Sequence, residues 1–526
     1  MQRVRIWLDN KWVRAAFLAV GAVLSALTVC FPVLGALEWV SLIPMMLVLY
    51  HLAEEGISYK KAYFGGLFFF ELFLAVGYHW FFYMYPLEFL GVSKFAALIV
   101  VLLGCFGLAF LHAIPCALLF PLFLVAARGK TGKRIPVLMP FLAAALWCIS
   151  EWALTLGWAG VPWTRLSMGQ TMLLPMVQTA SVFGSYGITF LIVAVNGLLA
   201  YAILYRKRLM VAVPMLLVAV NLVAGSVLLS IVPEGGEAIR IAAIQGNVSS
   251  KDKWNDDTFI DSLVTYTEYT QRAVDKGAQL VLWPESVIPD AINEIESIDS
   301  YLRKLAKSEE IYLFVGGFKS EDEGAYNAVY AYTPDGGLSD TQYFKRHLVP
   351  FGEFLPMEGL IRAVVPPLAD LNAYSEYFEA GQDSNVIKTE LGVFGCLICF
   401  DSIFEESARD SVRDGAEILL ISTNDSWFSD SAGVSMHNRQ AVLRAIETGR
   451  YVVRAANTGI SSIITDKGEV LDSVNALRKG YLVEDVYLRD GLTVYARIGN
   501  VIIWSSMVLY LAVVLLDVLQ GAKKKR

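Results

Sequence analysis

The sequence predicts a polytopic α-helical membrane protein, of about eight transmembrane helices, that carries one extracytoplasmic α/β domain built as a two-sheet sandwich. Three observations predict it. The chain has 526 residues, of which 56% are hydrophobic and 18% charged, with a mean hydropathy of +0.50. Soluble domains are roughly a quarter charged. The apolar residues form long blocks before about residue 232 and again near the end, with an ordinary soluble pattern between them. Lys and Arg cluster in alternate short loops only.

A bilayer core takes about 20 apolar residues per helix. Spans are therefore expected near 13–31, 34–53, 62–84, 94–126, 136–156, 180–204, 209–232 and 494–518. The fourth is too long for one upright crossing and should tilt or extend past the bilayer. Arg3, Arg5, Lys11 and Arg14 precede the first span, Lys60 and Lys61 follow the second, and Arg128, Lys130, Lys133 and Arg134 follow the fourth. Arg206, Lys207 and Arg208 follow the sixth, and Lys523 to Arg526 follow the last. All these loops fall on one side, which the positive-inside rule makes the cytoplasm. Both termini are then cytoplasmic and the large domain faces outward. The expected division is a seven-helix membrane domain over 1–233, the outer domain over 234–490, and a last helix with a basic tail over 491–526. The first apolar stretch has no clear small-residue cleavage site and further spans follow at once, so it reads as a retained helix. A net charge of −7 offers no basic face for nucleic acid.

Within the outer domain, "AIRIAAIQGNV" reads as a first strand, an amphipathic helix is expected near 257–275, and "AQLVLWPES" reads as a buried strand ending at Pro284. Further strands are expected at 311–317, 326–332, 393–400 and 417–425, with helices at 296–308, 403–413 and 435–449. Alternating strands and helices with a late hairpin, "ISSIITDKGEVLDSV", suggest two sheets with helices outside.

Four of the six cysteines lie in spans, where they read as small packing residues. Cys396 and Cys399 lie in the outer domain, three apart on one strand, so their side chains point to opposite faces and a mutual disulfide is awkward. No second cysteine pair or histidine pair supports zinc. Ser402 and Glu405 form an S-x-x-E pattern that predicts a helix starting just after Cys399. Its positive end should lower the Cys399 thiol pKa. Cys396 reads as packing. Glu285, Lys345 and Cys399 all stand at ends of apolar strands, and together they fit one reaction. A carboxylate moves the thiol's proton, a thiolate attacks a carbonyl and holds the acyl group, and an ammonium stabilises the oxyanion.

The motifs "WPES", "YFKRHLVPFGEFLP" and "ICFD" resemble the Glu-Lys-Cys motifs of the nitrilase (carbon–nitrogen hydrolase) superfamily. With "LWCISEWALTLGWAGVPW", "QTASVFGSYGITFLIVAVNGLLA", "STNDSWFSDS" and "RAANTGISSIITDKGEV", nearly the whole chain resembles the bacterial apolipoprotein N-acyltransferases within it. The resemblance implies a nitrilase-like α-β-β-α sandwich and a location in the bacterial inner membrane with the catalytic domain outside. It implies a monomeric enzyme that moves an acyl chain from a phospholipid to the N-terminal amine of a diacylated apolipoprotein, with no cofactor. By the same resemblance Glu285 is the base, Lys345 the oxyanion stabiliser, Cys399 the nucleophile and Glu353 an assisting glutamate. Trp254 and Trp427 then contact substrate. Phe400 and Asp401 replace the family's usual Tyr-Glu pair. They are supporting positions, and Asp401→Glu is expected to be tolerated.

The apolar stretch 357–378, with Trp427 and Phe428, suits either interfacial lids or loops closing the domain's own core. Glu151 lies inside or near the end of the fifth span, as a functional carboxylate or one that reaches the interface. His347 and His437 lie near motifs without partners at ligand spacing, so no metal is expected. The alternatives are a membrane-anchored amidase, in which water resolves the acyl-enzyme, and a transporter or receptor with an outer binding domain. Few central charges and no broken-helix pair argue against transport.

Overall fold

The computed structural model describes residues 2–87, 93–231, 236–249, 256–322, 324–364, 377–384 and 386–522. The chain forms two compact units. One comprises Met1–Phe82, Ile99–Val232 and Ile498–Arg526, and the other Tyr83–Leu98 and Pro233–Arg497.

The first unit is helical. Among the described residues, seven helices are long and apolar enough to cross a membrane: Lys11–Cys30, Pro32–Glu54, Lys94–Arg128, Pro136–Ala153, Ser185–Tyr205, Leu209–Ser230 and Val501–Gly521. The expected third span also forms a helix, Tyr59–Gly77. Lys60, Lys61 and Glu71 in its 19 residues leave it less apolar than the seven. The sixth span starts later than expected because Gly184, at φ +70°, separates Ala180–Phe183 from Ser185–Tyr205. The last is likewise shortened, with Val494–Ile498 a separate helix before Gly499 at φ +67°. Glu151 is buried as an anchor. Its carboxylate accepts from Trp147 Nε1 at 3.1 Å, Leu166 N at 3.0 Å and Thr189 Oγ1 at 2.9 Å, tying three segments together.

Among the described residues, the second unit is a sandwich of twelve strands: β1 (Ala238–Gln245), β2 (Leu280–Leu282), β3 (Tyr312–Glu321), β4 (Gly324–Tyr332), β5 (Tyr343–Phe344), β6 (Ile387–Thr389), β7 (Gly392–Ile398), β8 (Ile418–Thr423), β9 (Tyr451–Ala456), β10 (Ser461–Ile464), β11 (Val470–Val474) and β12 (Gly480–Tyr487). The sheet orders are β12-β1-β2-β3-β4-β5 and β11-β10-β9-β8-β7-β6. In each sheet the three central strands are parallel, β1-β2-β3 and β7-β8-β9. Alternation sorts the faces. Ile241, Leu282 and Phe314 of one sheet share a core with Phe394, Cys396, Ile398 and Leu420 of the other, and the Phe314 and Phe394 rings meet edge to face at 5.5 Å. The opposite residues of the first sheet, Ala242, Val281 and Val315 among them, pack with Tyr266 and Leu302 of the helices Asp256–Val274 and Glu296–Ser308. Behind the second sheet lie Glu405–Arg413 and Ala432–Thr448. The layers are therefore α-β-β-α.

Candidate active site

Ligand sites of parallel sheets gather at the carboxyl ends of the strands, and the chemistry-bearing residues do so here. Glu285 follows β2 after Trp283-Pro284. It sits close against β3, where a Cβ on Gly316 would fall 2.3 Å from Pro284 O and 2.7 Å from Glu285 Cα. Only glycine fits at 316. Lys345 follows β5, Cys399 follows β7, and Thr423-Asn424-Asp425 close β8.

Glu285, Lys345 and Glu353 are all nearly inaccessible, at 5%, 1% and 2% exposure, and form one network. Lys345 Nζ donates to Glu285 Oε1 at 3.0 Å and to Glu353 Oε1 at 2.9 Å. Asn327, on β4, donates its side-chain amide to the same two oxygens at 2.8 and 2.9 Å. Backbone groups complete the carboxylates, with Asn424 N on Glu285 Oε2 at 2.9 Å and Val349 N on Glu353 Oε2 at 2.8 Å. Burial pushes the Glu353 carboxyl above its ordinary range, and neighbouring Glu285 adds to this against the pull of Lys345.

Cys399 stands at φ +48°, a left-handed conformation uncommon for a residue with a Cβ. The turn ends the strand, and half-buried Cys399 packs against the edge of the intersheet core that holds Cys396. Both cysteines are free. Burial first, then the charges of Glu285 and Asp425, push the Cys399 thiol up, while Lys345 and a hydrogen bond with Thr423 oppose them. The expected α-helix does not start here. A 3-10 turn spans Cys399–Ile403, and the α-helix begins at Glu405 with no side-chain cap on Phe404. The Ser402 hydroxyl donates instead to Cys399 O at 2.7 Å. The thiol thus stands at the first residue of a short 3-10 turn rather than at the N-terminus of the α-helix.

Asp401 is a fully buried clamp. It accepts from Tyr343 Oη at 2.9 Å, from the backbone amides of His347 and Ile398 at 2.7 and 3.2 Å, and from His347 Nδ1 at 3.1 Å. One carboxylate thereby ties the Lys345 segment to the Cys399 turn. Burial works to raise its pKa, but the His347 hydrogen bonds and charge and the charge of Lys345 outweigh this and hold it below the ordinary range. His347 gains in return. Burial lowers it, yet Asp401 and Glu406 together raise it to about 9.

The histidines also have closer partners than their sequence spacing suggests. His437, 1% exposed, lies against Asp425 Oδ1 at 2.8 Å. Ligand atoms of Cys399, Asp425 and His437 gather within 4.8 Å of one another. Arg454 donates to Asp425 Oδ2 at 2.7 Å and stands 3.0 Å from His437 Nδ1. A guanidinium in that place makes the cluster a poor cation site.

Phe400 is half-buried and meets Phe404 edge to face at 5.3 Å. Trp427 is half-buried in a short turn, Ser426–Phe428, and Phe428 is buried. Trp254 lies outside the described residues, as does 365–376 of the apolar stretch. Of that stretch, Met357 and Leu360 are exposed. Phe378 at its far end is buried against Phe318, with its backbone N donating to Glu353 O at 2.9 Å.

Two family models match the chain. The apolipoprotein N-acyltransferase N-terminal domain matches residues 21–198, and the carbon-nitrogen hydrolase domain matches 240–491. An apolipoprotein N-acyltransferase of Geobacter metallireducens is 32% identical over 73% of this chain and 74% of its own length. The chain belongs to the apolipoprotein N-acyltransferase family. A relative of the same name in Gloeobacter violaceus is 30% identical over 89% of this chain and 87% of its own. Among solved structures, an amidase from Nesterenkonia sp. is similar at 21% identity over 52% of this chain and 97% of its own, with a TM-score of 0.38.

Two members of the site carry no motif signal. Asn327 sits in the middle of "GAYNAVYAY", where one polar residue in an alternating strand looks like an outward face. Its burial at 0% exposure is the sign that it serves the two glutamates. The pairing of His437 with Asp425 and Arg454 joins residues 12 and 17 positions away from the histidine, with no local pattern to announce it.

Proposed function

We propose that this chain transfers a fatty acyl group from a membrane phospholipid to the N-terminal amine of a diacylglyceryl-cysteine apolipoprotein, through a thioester on Cys399. The observation that carries the reading is the buried Glu285–Lys345–Glu353 network beside a thiol held at a left-handed turn. The apolar helices and the family membership supply the substrate class.

Glu285 takes the thiol proton, and Cys399 Sγ attacks the ester carbonyl of the donor. Lys345 donates to the oxyanion that forms. The intermediate collapses by breaking the ester C–O bond, the lysophospholipid oxygen takes the proton back from Glu285, and the thioester remains. The acceptor amine then attacks the thioester. Glu285 removes its proton, the C–S bond breaks, and an amide and the free thiol result. Glu353 and Asn327 hold Lys345 in place. Asp401 and Phe400 support the turn, and Trp254 and Trp427 contact the substrates.

The same reading places the catalytic domain, 234–490, outside the inner membrane with both termini in the cytoplasm, because five basic segments agree. Cysteine probes at Lys60 and Lys130 should then resist labelling from outside intact spheroplasts while one near Asp322 reacts. Labelling of the first two from outside sinks this orientation. To test the function, purified protein in liposomes is given phospholipid and a synthetic diacylated lipopeptide, and the lipopeptide mass is followed. Gain of one acyl chain on the N-terminal amine is expected. Release of free fatty acid as fast as, or faster than, lipopeptide acylation would assign the chain to the amidase-like alternative.

A further inference from the structure

The Cys399 turn is held from two sides. Its carbonyl oxygen accepts from Ser402 Oγ at 2.7 Å and lies 3.2 Å from His437 Nε2. The Ser402 hydroxyl has one hydrogen, which the shorter contact uses. Its own 3.1 Å contact with Nε2 therefore has the ring donating. Both of these contacts of Nε2 meet acceptors, so Nε2 carries a hydrogen, and the Asp425 carboxylate facing Nδ1 requires one there as well. On the other side of the ring, Nδ1 is 2.8 Å from Asp425 Oδ1.

Asp425 is itself fully buried and over-determined. It accepts from Arg454 NH2 at 2.7 Å and from Thr423 Oγ1 at 3.0 Å. Room for it depends on Gly459, where a Cβ would fall 2.0 Å from Asp425 Oδ2. Phe428 packs edge to face on the His437 ring at 5.9 Å. None of these groups belongs to the Glu285–Lys345–Glu353 network, and all bear on one residue.

We propose that His437 is a positioning residue for the nucleophile. Its Nε2–H, aimed by Asp425 and Arg454, pins the Cys399 carbonyl and so holds the left-handed turn that presents Sγ. Because a peptide unit is planar and trans, fixing the carbonyl also fixes the Phe400 N–H on its opposite side. The strained φ persists only while the surroundings over-determine it. Ser402 supplies one restraint from within the turn, and His437 supplies the other from the helix Ala432–Thr448.

The inference rests on Cys399 being the acylated residue, and wild-type acylation in the same assay tests that separately. Two variants of full-length protein in liposomes divide the roles of the ring. His437→Gln keeps a donor near the Nε2 position and loses the Asp425 contact. His437→Asn keeps a donor near Nδ1 and loses the Cys399 carbonyl. Single-turnover acylation of Cys399 from labelled phospholipid is measured, with thermal unfolding alongside. His437→Gln should acylate within about tenfold of wild type and His437→Asn about a hundredfold slower, the scale of a nucleophile misplaced by an ångström. Acylation should slow in the same proportion at saturating donor, since the donor site is untouched. The reverse order, with Asn active and Gln inactive, overturns the proposal and leaves His437 a mere ionic partner of Asp425. Equal activity of the two variants overturns it as well. Should neither variant fold, Ser402→Ala removes the companion donor from the same carbonyl. Acylation about tenfold slower supports the pinned turn, and the wild-type rate overturns it.

Discussion

Replacing Lys345 with Met keeps most of the side-chain volume and removes its charge. Nζ lies 3.0 Å from Glu285 and 2.9 Å from Glu353, and all three residues are at least 95% buried. Without the ammonium, two carboxylate oxygens face each other with only the Asn327 amide between them. Breaking a buried pair from one side costs about 3–5 kcal/mol, because a charge is left unpaired. At about 2–4 °C per kcal/mol for a domain of this size, the unfolding midpoint should fall by roughly 6–20 °C. Lys345→Met/Glu353→Gln removes the surplus carboxylate and should recover much of that fall. Catalysis should not recover. Losing one oxyanion donor slows acylation about a hundred- to a thousandfold, and the double variant stays as slow. The assay pairs thermal unfolding of the purified protein with single-turnover acylation from labelled phospholipid. A single variant that unfolds with the wild type, or a double variant that regains acylation, would refute the view that one lysine both neutralises the glutamates and serves the oxyanion.

Cys399→Ala and Cys399→Ser should abolish transfer, whereas Cys396→Ala, in the intersheet core, should keep most activity at a small cost in stability; equal loss at both points to a functional pair. Glu285→Gln should prevent acylation and slow alkylation of the Cys399 thiol by iodoacetamide at neutral pH, because the buried thiol loses the base that takes its proton; unchanged alkylation argues against that role. Folding raises the pKa of His347 from an ordinary 6.5 to about 9, so its stabilising contribution is complete below pH 6.5 and is lost as pH rises through 9. The loss should be on the order of 3 kcal/mol and absent in His347→Gln, as read from urea unfolding at pH 6.5 and 9.5. Parallel pH dependence in the two proteins would refute it.

The fold was legible where local patterns decide it. Buried apolar runs such as "LVLWPES" and "VFGCLICFD" carry their own strand signal, and Glu285 and Cys399 sit where those runs stop. Lys345 and Glu353 lie within one short motif. The rest depends on contacts between distant segments. Ser402 and Glu405 have the spacing of a helix cap, but Ser402 spends its hydroxyl on the Cys399 carbonyl, so the helix starts later. Asp401 reads locally as a shortened family glutamate, and only the approach of Tyr343, His347 and Ile398 reveals a filled clamp. In the membrane unit, length and apolarity located the spans. Their ends shifted at Gly184 and Gly499, whose positive φ no hydropathy window registers.

In the proposed mechanism the acyl group waits on Cys399 before any acceptor arrives. Purified wild-type protein is incubated with labelled phospholipid alone, digested, and its Cys399 peptide examined by mass spectrometry with and without hydroxylamine. An acyl chain is expected on that peptide, removed by hydroxylamine, missing in Glu285→Gln, and passed to a lipopeptide added later. Label that forms only when acceptor is present, or that sits on another residue, would contradict it.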